Sequence, residues 1–176
     1  MTATNLTTPL SPPPAPQLPE ELVASATFLL KRLGFAAKER TMKAYEQTGL
    51  HPYHHGILTV LDERSYETQG AIADALGYDR GQLVGLLDEL EERGLVERRR
   101  DPDDRRRHIV RLTPDGKRML RRLRALSGQI EDEFLSPLSD EERANLHALL
   151  FRLAKKHEPR CAPLAPAPDS VPAVQT

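Results

Sequence analysis

The chain has 176 residues, 39% hydrophobic, 29% charged and 5% aromatic, a globular composition with length for about one domain. No run approaches the ~18 apolar residues of a membrane helix, and Met1 to Pro19 has neither the basic nor the apolar region of a secretion signal, so a cytoplasmic protein with no membrane partner is expected. A single cysteine, Cys161, excludes an intramolecular disulfide framework and cannot by itself build a thiolate metal site; the net charge of -1 names no polyanionic partner, although its distribution does.

Eleven of the fifteen prolines lie at the two ends, which predicts Pro-rich tails over 1–19 and 158–176 around a folded region of about 20–157. Leu22, Val23, Ala26, Leu29, Leu30 and Leu33 recur at three-to-four-residue spacing, so one long amphipathic helix is expected over about 20–48, closed near Gly49. A second helix starts at Pro52 and runs to about Glu63, with His51 at a cap position that Ser or Thr would fill better. Thr68 caps a short helix from Gln69 to Leu76, stopped by Gly77. Asp79-x-x-Gln82 has capping-box form for a helix whose apolar face is Leu83, Leu86, Leu87 and Leu90, ending at Gly94.

Leu95-Val96 and Ile109 to Leu112 then read as two short strands around Asp101-Pro102-Asp103-Asp104, a run of turn formers, which makes a hairpin. Thr113-Pro114 supplies the cap and first turn of a long helix with Met119, Leu120, Leu123, Leu126, Ile130 and Phe134 inward, ending before Pro137. Ser139-x-x-Glu142 opens a last helix with Leu146, Leu149, Leu150 and Leu153 along one side. The fold class is therefore mainly α with a small β-hairpin wing: a winged helix-turn-helix plus a helical region. Within it, Ala73 marks the close approach of the two short helices, and Gly77 the chain reversal between them.

Arg93 to Arg124 holds thirteen basic residues against five acidic ones in a chain whose total is -1. This surplus sits on and beside a hairpin that directly follows a candidate recognition helix, the footprint of a protein that binds double-stranded DNA. Guanidinium forks suit phosphate contacts and a narrow minor groove.

The run Leu90-Glu91-Glu92-Arg93-Gly94-Leu95-Val96-Glu97-Arg98, then Asp101-Pro102-Asp103-Asp104-Arg105-Arg106, then Leu112-Thr113-Pro114-Asp115-Gly116, resembles the MarR family of bacterial transcriptional regulators. The resemblance implies a homodimer whose helices over about 20–48 and 114–157 interlock while two winged domains, about 52–113, straddle a pseudo-palindromic operator. It implies that Arg106 enters the minor groove with Asp104 holding its guanidinium, flanked by Arg105 and Arg107. It also implies that the helix from Asp79 to Arg93 presents its N-terminal residues to the major groove. Arg80 can read a guanine bidentately or clamp a phosphate, and Gln82 can contact an adenine or serve the cap. Gly85 departs from the family, where a larger residue is common. Arg98, Arg99 and Arg100 serve phosphates or carboxylates of the chain, and Thr68 and Gln69 can donate to a phosphate.

Tyr53, His54 and His55 are candidates for the effector crevice that the resemblance implies, where anionic aromatic compounds bind in relatives; helix packing or capping is the competing role for these histidines. A metal-responsive version is the alternative suggested by the i, i+4 spacing of His51 and His55, but zinc-sensing relatives add histidines on the long helix after the wing, where this sequence has Arg and Leu. A redox-responsive version meets a similar objection, because relatives that sense peroxide place the thiol on the first helix and Cys161 follows the last. A non-specific architectural DNA-binding protein is a further alternative. No cofactor is expected and no enzyme signature is present, neither G-x-S-x-G, nor a phosphate loop, nor H-E-x-x-H.

Overall fold

The computed structural model describes residues 17–63, 68–101 and 108–161. Its elements in order are α1 (Glu20–Val23), α2 (Ala26–Glu46), α3 (Pro52–Glu63), α4 (Gln69–Leu76), α5 (Arg80–Glu92), β1 (Val96–Arg100), β2 (His108–Leu112), α6 (Pro114–Phe134), α7 (Asp140–His157) and a short 3-10 turn, Pro159–Cys161. The strands form one antiparallel hairpin in which Val96 faces Leu112 and Arg100 faces His108. Mainly helical with a two-stranded wing, this is the architecture expected from the apolar periodicities.

The single helix expected over about 20–48 is broken. The chain leaves α1 at Ala24, and the Ser25 hydroxyl accepts a hydrogen bond from Phe28 N at 3.4 Å, starting α2 anew. Serine competes for backbone N–H groups at short range, which makes it a natural restart point inside an otherwise periodic stretch.

The molecule divides into two compact units within α2, one through Lys38 and one from Glu39 onward. In the first, no described residue is buried, and Leu22, Val23, Leu29, Leu30, Leu33 and Phe35 are all exposed. The second holds the core. Tyr45, Leu50, Ile57, Leu58, Ile72, Ala73, Leu83, Leu87, Leu90, Leu95, Val96, Val110, Leu120 and Leu123 pack together, with Met119, Leu126 and Ile130 against them. Thus α3, α4, α5, the hairpin base and the first half of α6 close around one apolar centre, whose burial is the main favourable term in folding. On α7 the expected apolar side, Leu149, Leu150 and Leu153, is exposed. Among the described residues no helix is long and apolar enough to cross a membrane.

Candidate nucleic-acid interface

The helix-turn-helix is built by three local devices. Thr68 caps α4 by accepting from Ala71 N at 3.3 Å. Gly77 takes φ +66°, a left-handed conformation open to glycine at little steric cost, and lets Tyr78 N donate back to Ala73 O at 3.0 Å. Asp79 then caps α5, its Oδ1 accepting from Gly81 N at 2.8 Å and Gln82 N at 3.2 Å. Leu83, Leu87 and Leu90 anchor α5 in the core, which leaves Arg80, Gly81, Gln82, Val84 and Gly85 facing outward at its N-terminal end. The Asp79 carboxylate occupies two of the N–H groups at this helix start, so the outward side chains, rather than the free helix end, are what a partner meets.

Of the expected site residues on this helix, Arg80 is exposed and has no ion-pair partner among the described residues. Gln82 accepts no capping role through its side chain: only its backbone N–H joins the cap, so the reciprocal arm of the predicted box is missing and the amide faces outward. Gly85 has nothing within 4 Å of where a Cβ would stand. Val84, not among the expected site residues, is 43% exposed one turn beyond Arg80; its position off the Leu83, Leu87, Leu90 stripe is the signal in the sequence. Gln69 and Thr68 are half-buried at the start of α4.

The wing base separates three consecutive arginines into different roles. Arg98 is drawn inward: its side chain is 20% exposed and its Nε and Nη2 donate to Glu91 Oε2 at 2.8 and 2.6 Å. These hydrogen bonds hold the Glu91 carboxyl below its usual range. Arg99 points outward at 69% exposure, pairing with Glu97 at 3.0 Å, and Arg100 is exposed. The expected wing-tip residues Asp104, Arg105, Arg106 and Arg107 lie outside the described residues. Behind the wing, Thr113 donates to Gly94 O at 2.6 Å and accepts from Gly116 N at 3.0 Å, tying the start of α6 to the turn that ends α5.

The three effector candidates lie in contrasting settings. Tyr53 is exposed, its ring 4.5 Å from that of His51 and 5.1 Å from that of Tyr78. His54 is 1% exposed, its Nδ1 accepts from His51 N at 3.0 Å, and its Nε2 stands 3.2 Å from Glu89 Oε2 without hydrogen-bond alignment. His55 is half-buried and shares a 2.7 Å hydrogen bond with the Tyr45 hydroxyl. Burial pushes the pKa of both histidines down. His51 does cap α3 through Nδ1, which accepts from Tyr53 N at 3.2 Å. Among the described residues no three His, Cys, Asp or Glu side chains gather as metal ligands, and Cys161 is an exposed free thiol.

The sequence model of the MarR family matches residues 48–107. A protein of Thauera aromatica, named as a transcriptional regulatory protein for the hcr operon, is 35% identical over 73% of this chain and 78% of its own. Among solved structures, the transcriptional repressor CouR bound to a 23-mer DNA duplex is 33% identical with a TM-score of 0.70, covering 79% of this chain and 99% of its own. CouR from Rhodococcus jostii RHA1 bound to p-coumaroyl-CoA is 31% identical with a TM-score of 0.63, over 77% and 96% of the two chains.

Proposed function

Because the chain belongs to the MarR family of DNA-binding, winged helix-turn-helix transcriptional regulators, which are not enzymes, we propose that it represses transcription as a homodimer bound to a pseudo-palindromic operator. The observation that carries this reading is α5, anchored by Leu83, Leu87 and Leu90 while Arg80, Gln82 and Val84 face outward from its capped N-terminus. Such a face fits a major groove, with Arg80 on a guanine or phosphate and Gln82 on an adenine edge. Thr68, Gln69, Asp79 and Arg99 complete the contacts at the helix start and the wing base. Asp104, Arg105, Arg106 and Arg107 carry the wing into the minor groove.

The homodimer reading is supported by two apolar faces: Leu29, Leu30 and Leu33 on α2, and Leu149, Leu150 and Leu153 on α7, each 42–52% exposed except Leu150 at 39%. An exposed apolar helix face is a place for a partner, and a second copy offers the same face back. The helices over about 20–48 and 114–157 therefore serve dimerisation and 52–113 serve DNA. A small-molecule effector acts near Tyr53, His54 and His55; CouR, of the same family, has been solved with p-coumaroyl-CoA. Ligand that favours a different spacing of the two recognition helices releases the operator.

The test is a fluorescence-anisotropy titration against DNA from upstream of the protein's own gene, with scrambled competitor, at two salt concentrations, alongside sedimentation. Competitor-resistant binding by a dimer supports the reading. A monomer at micromolar concentration, or binding equal to that of scrambled DNA across a genome-wide selection, overturns it.

A further inference from the structure

We propose that Arg98 is a positioning residue that sets the pitch of the wing against the recognition helix, so that major-groove and minor-groove contacts are presented by one rigid body; this rests on the DNA-binding reading above. Both oxygens of Glu91 are consumed by Arg98. Oε1 accepts from the Arg98 backbone N–H at 3.0 Å, and Oε2 accepts from Nε and Nη2. The same Nη2 stands 2.5 Å from Asp88 Oδ1. Asp88 and Glu91 are three apart on α5, so their side chains neighbour one another, and a planar guanidinium is the group that can bridge two such carboxylates while a strand N–H fills the remaining oxygen.

The location explains why this link orients rather than folds the hairpin. Arg98 faces Val110 across the ladder, and Val96 and Val110 are buried in the core whatever Arg98 does. On the other edge, Ile109 bridges to Thr68, the cap of α4. Removing the guanidinium therefore leaves the strands paired and packed but frees the β1 edge from α5. A two-stranded hairpin has little stiffness of its own, and its direction is set by what its edges are tied to. Arg98 is the tie to the reading helix, whereas Arg99, one residue on and 69% exposed, points to solvent.

The experiment uses full-length protein and a duplex selected by the wild type from a random-sequence library. Arg98→Gln, Arg98→Lys and Glu91→Gln are compared by affinity, hydroxyl-radical footprint and far-UV circular dichroism. Arg98→Gln is expected to keep its helical spectrum, to lose about tenfold in affinity, the scale of one charge-assisted pair, and to lose protection at the outer, wing-facing positions while the central positions stay protected. Arg98→Lys, which keeps a charge but not the fork, should fall between. Should Arg98→Gln fail to fold, Glu91→Gln carries the same readout. Uniform weakening across the whole footprint, or unchanged affinity and protection, overturns the positioning role. Failure of the wild type to select any duplex overturns instead the DNA-binding reading on which it rests.

Discussion

Gly116→Ala adds one methyl group where the structure has no room for it. Gly116 is buried in the first turn of α6, and a Cβ there would overlap the Leu95 carbonyl oxygen, with the Leu95 carbonyl carbon at 3.0 Å and Leu112 Cδ2 at 3.1 Å. The oxygen cannot swing aside as a side chain would, because it accepts from Thr113 N at 3.1 Å and belongs to the turn that Gly94, at φ +67°, closes. Overpacking of this kind costs about 1–3 kcal/mol, toward the upper end when backbone must move, and the gain of Ala over Gly in a helix offsets at most about 1 kcal/mol. The net loss is about 2 kcal/mol, a fall in Tm of about 4–8 °C for a chain of this size. Gly85→Ala is the internal control. It also lies within a helix but has nothing within 4 Å, so it should raise the Tm of the free protein by about 2–4 °C. Thermal circular dichroism at one fixed protein concentration, needed because assembly shifts Tm, measures both. A Gly116→Ala variant as stable as the wild type, or two variants moving in the same direction, would refute the reasoning from available space.

Acid should weaken the fold through His54. Burial holds its pKa below the ordinary 6.5, reinforced by His51 and Arg93 and opposed by Glu89, so the unfolded chain takes up protons first as pH falls; stability is full above about pH 6.5 and declines below it. His55 shifts in the same direction. The His54→Gln variant should show a flatter Tm curve between pH 8 and 5, and identical slopes would remove His54 as the cause. Asp79→Ala should cost about 1 kcal/mol by stripping the α5 cap, read as a Tm fall of a few degrees; no change would mean that the cap observed at Gly81 N and Gln82 N is not maintained in solution. Arg106→Ala should weaken operator binding and lower the salt slope by about 1. An unchanged affinity and slope would take Arg106 out of the interface.

The features that can be read from the chain alone are local ones. Thr68, Asp79, Thr113 and Ser139 cap the helices they were expected to cap, and the box at Ser139 closes with both arms. Gly77 and Gly94 end α4 and α5 with positive φ as expected of glycine. Each of these outcomes is decided by groups within about four residues, where chain geometry leaves few choices. The hairpin and its surplus of arginine were legible from its turn formers, but β1 runs through Glu97, Arg98, Arg99 and Arg100, well past the expected Leu95-Val96, because pairing with β2 rather than a local apolar pattern sets its length. Packing between distant segments sets which neighbouring residues of like type do different things. Arg98 turns inward and Arg99 outward because α5 brings Glu91 and Asp88 beside one of them. His54 is buried and Tyr53 exposed because α3 lays one side against the core, and Gly116 has no room for a side chain because Leu95 O, from the first arm of the hairpin base, passes over it. Those distinctions depend on contacts between segments well separated along the chain, set by how the apolar faces pack together, and no spacing within a single segment encodes them.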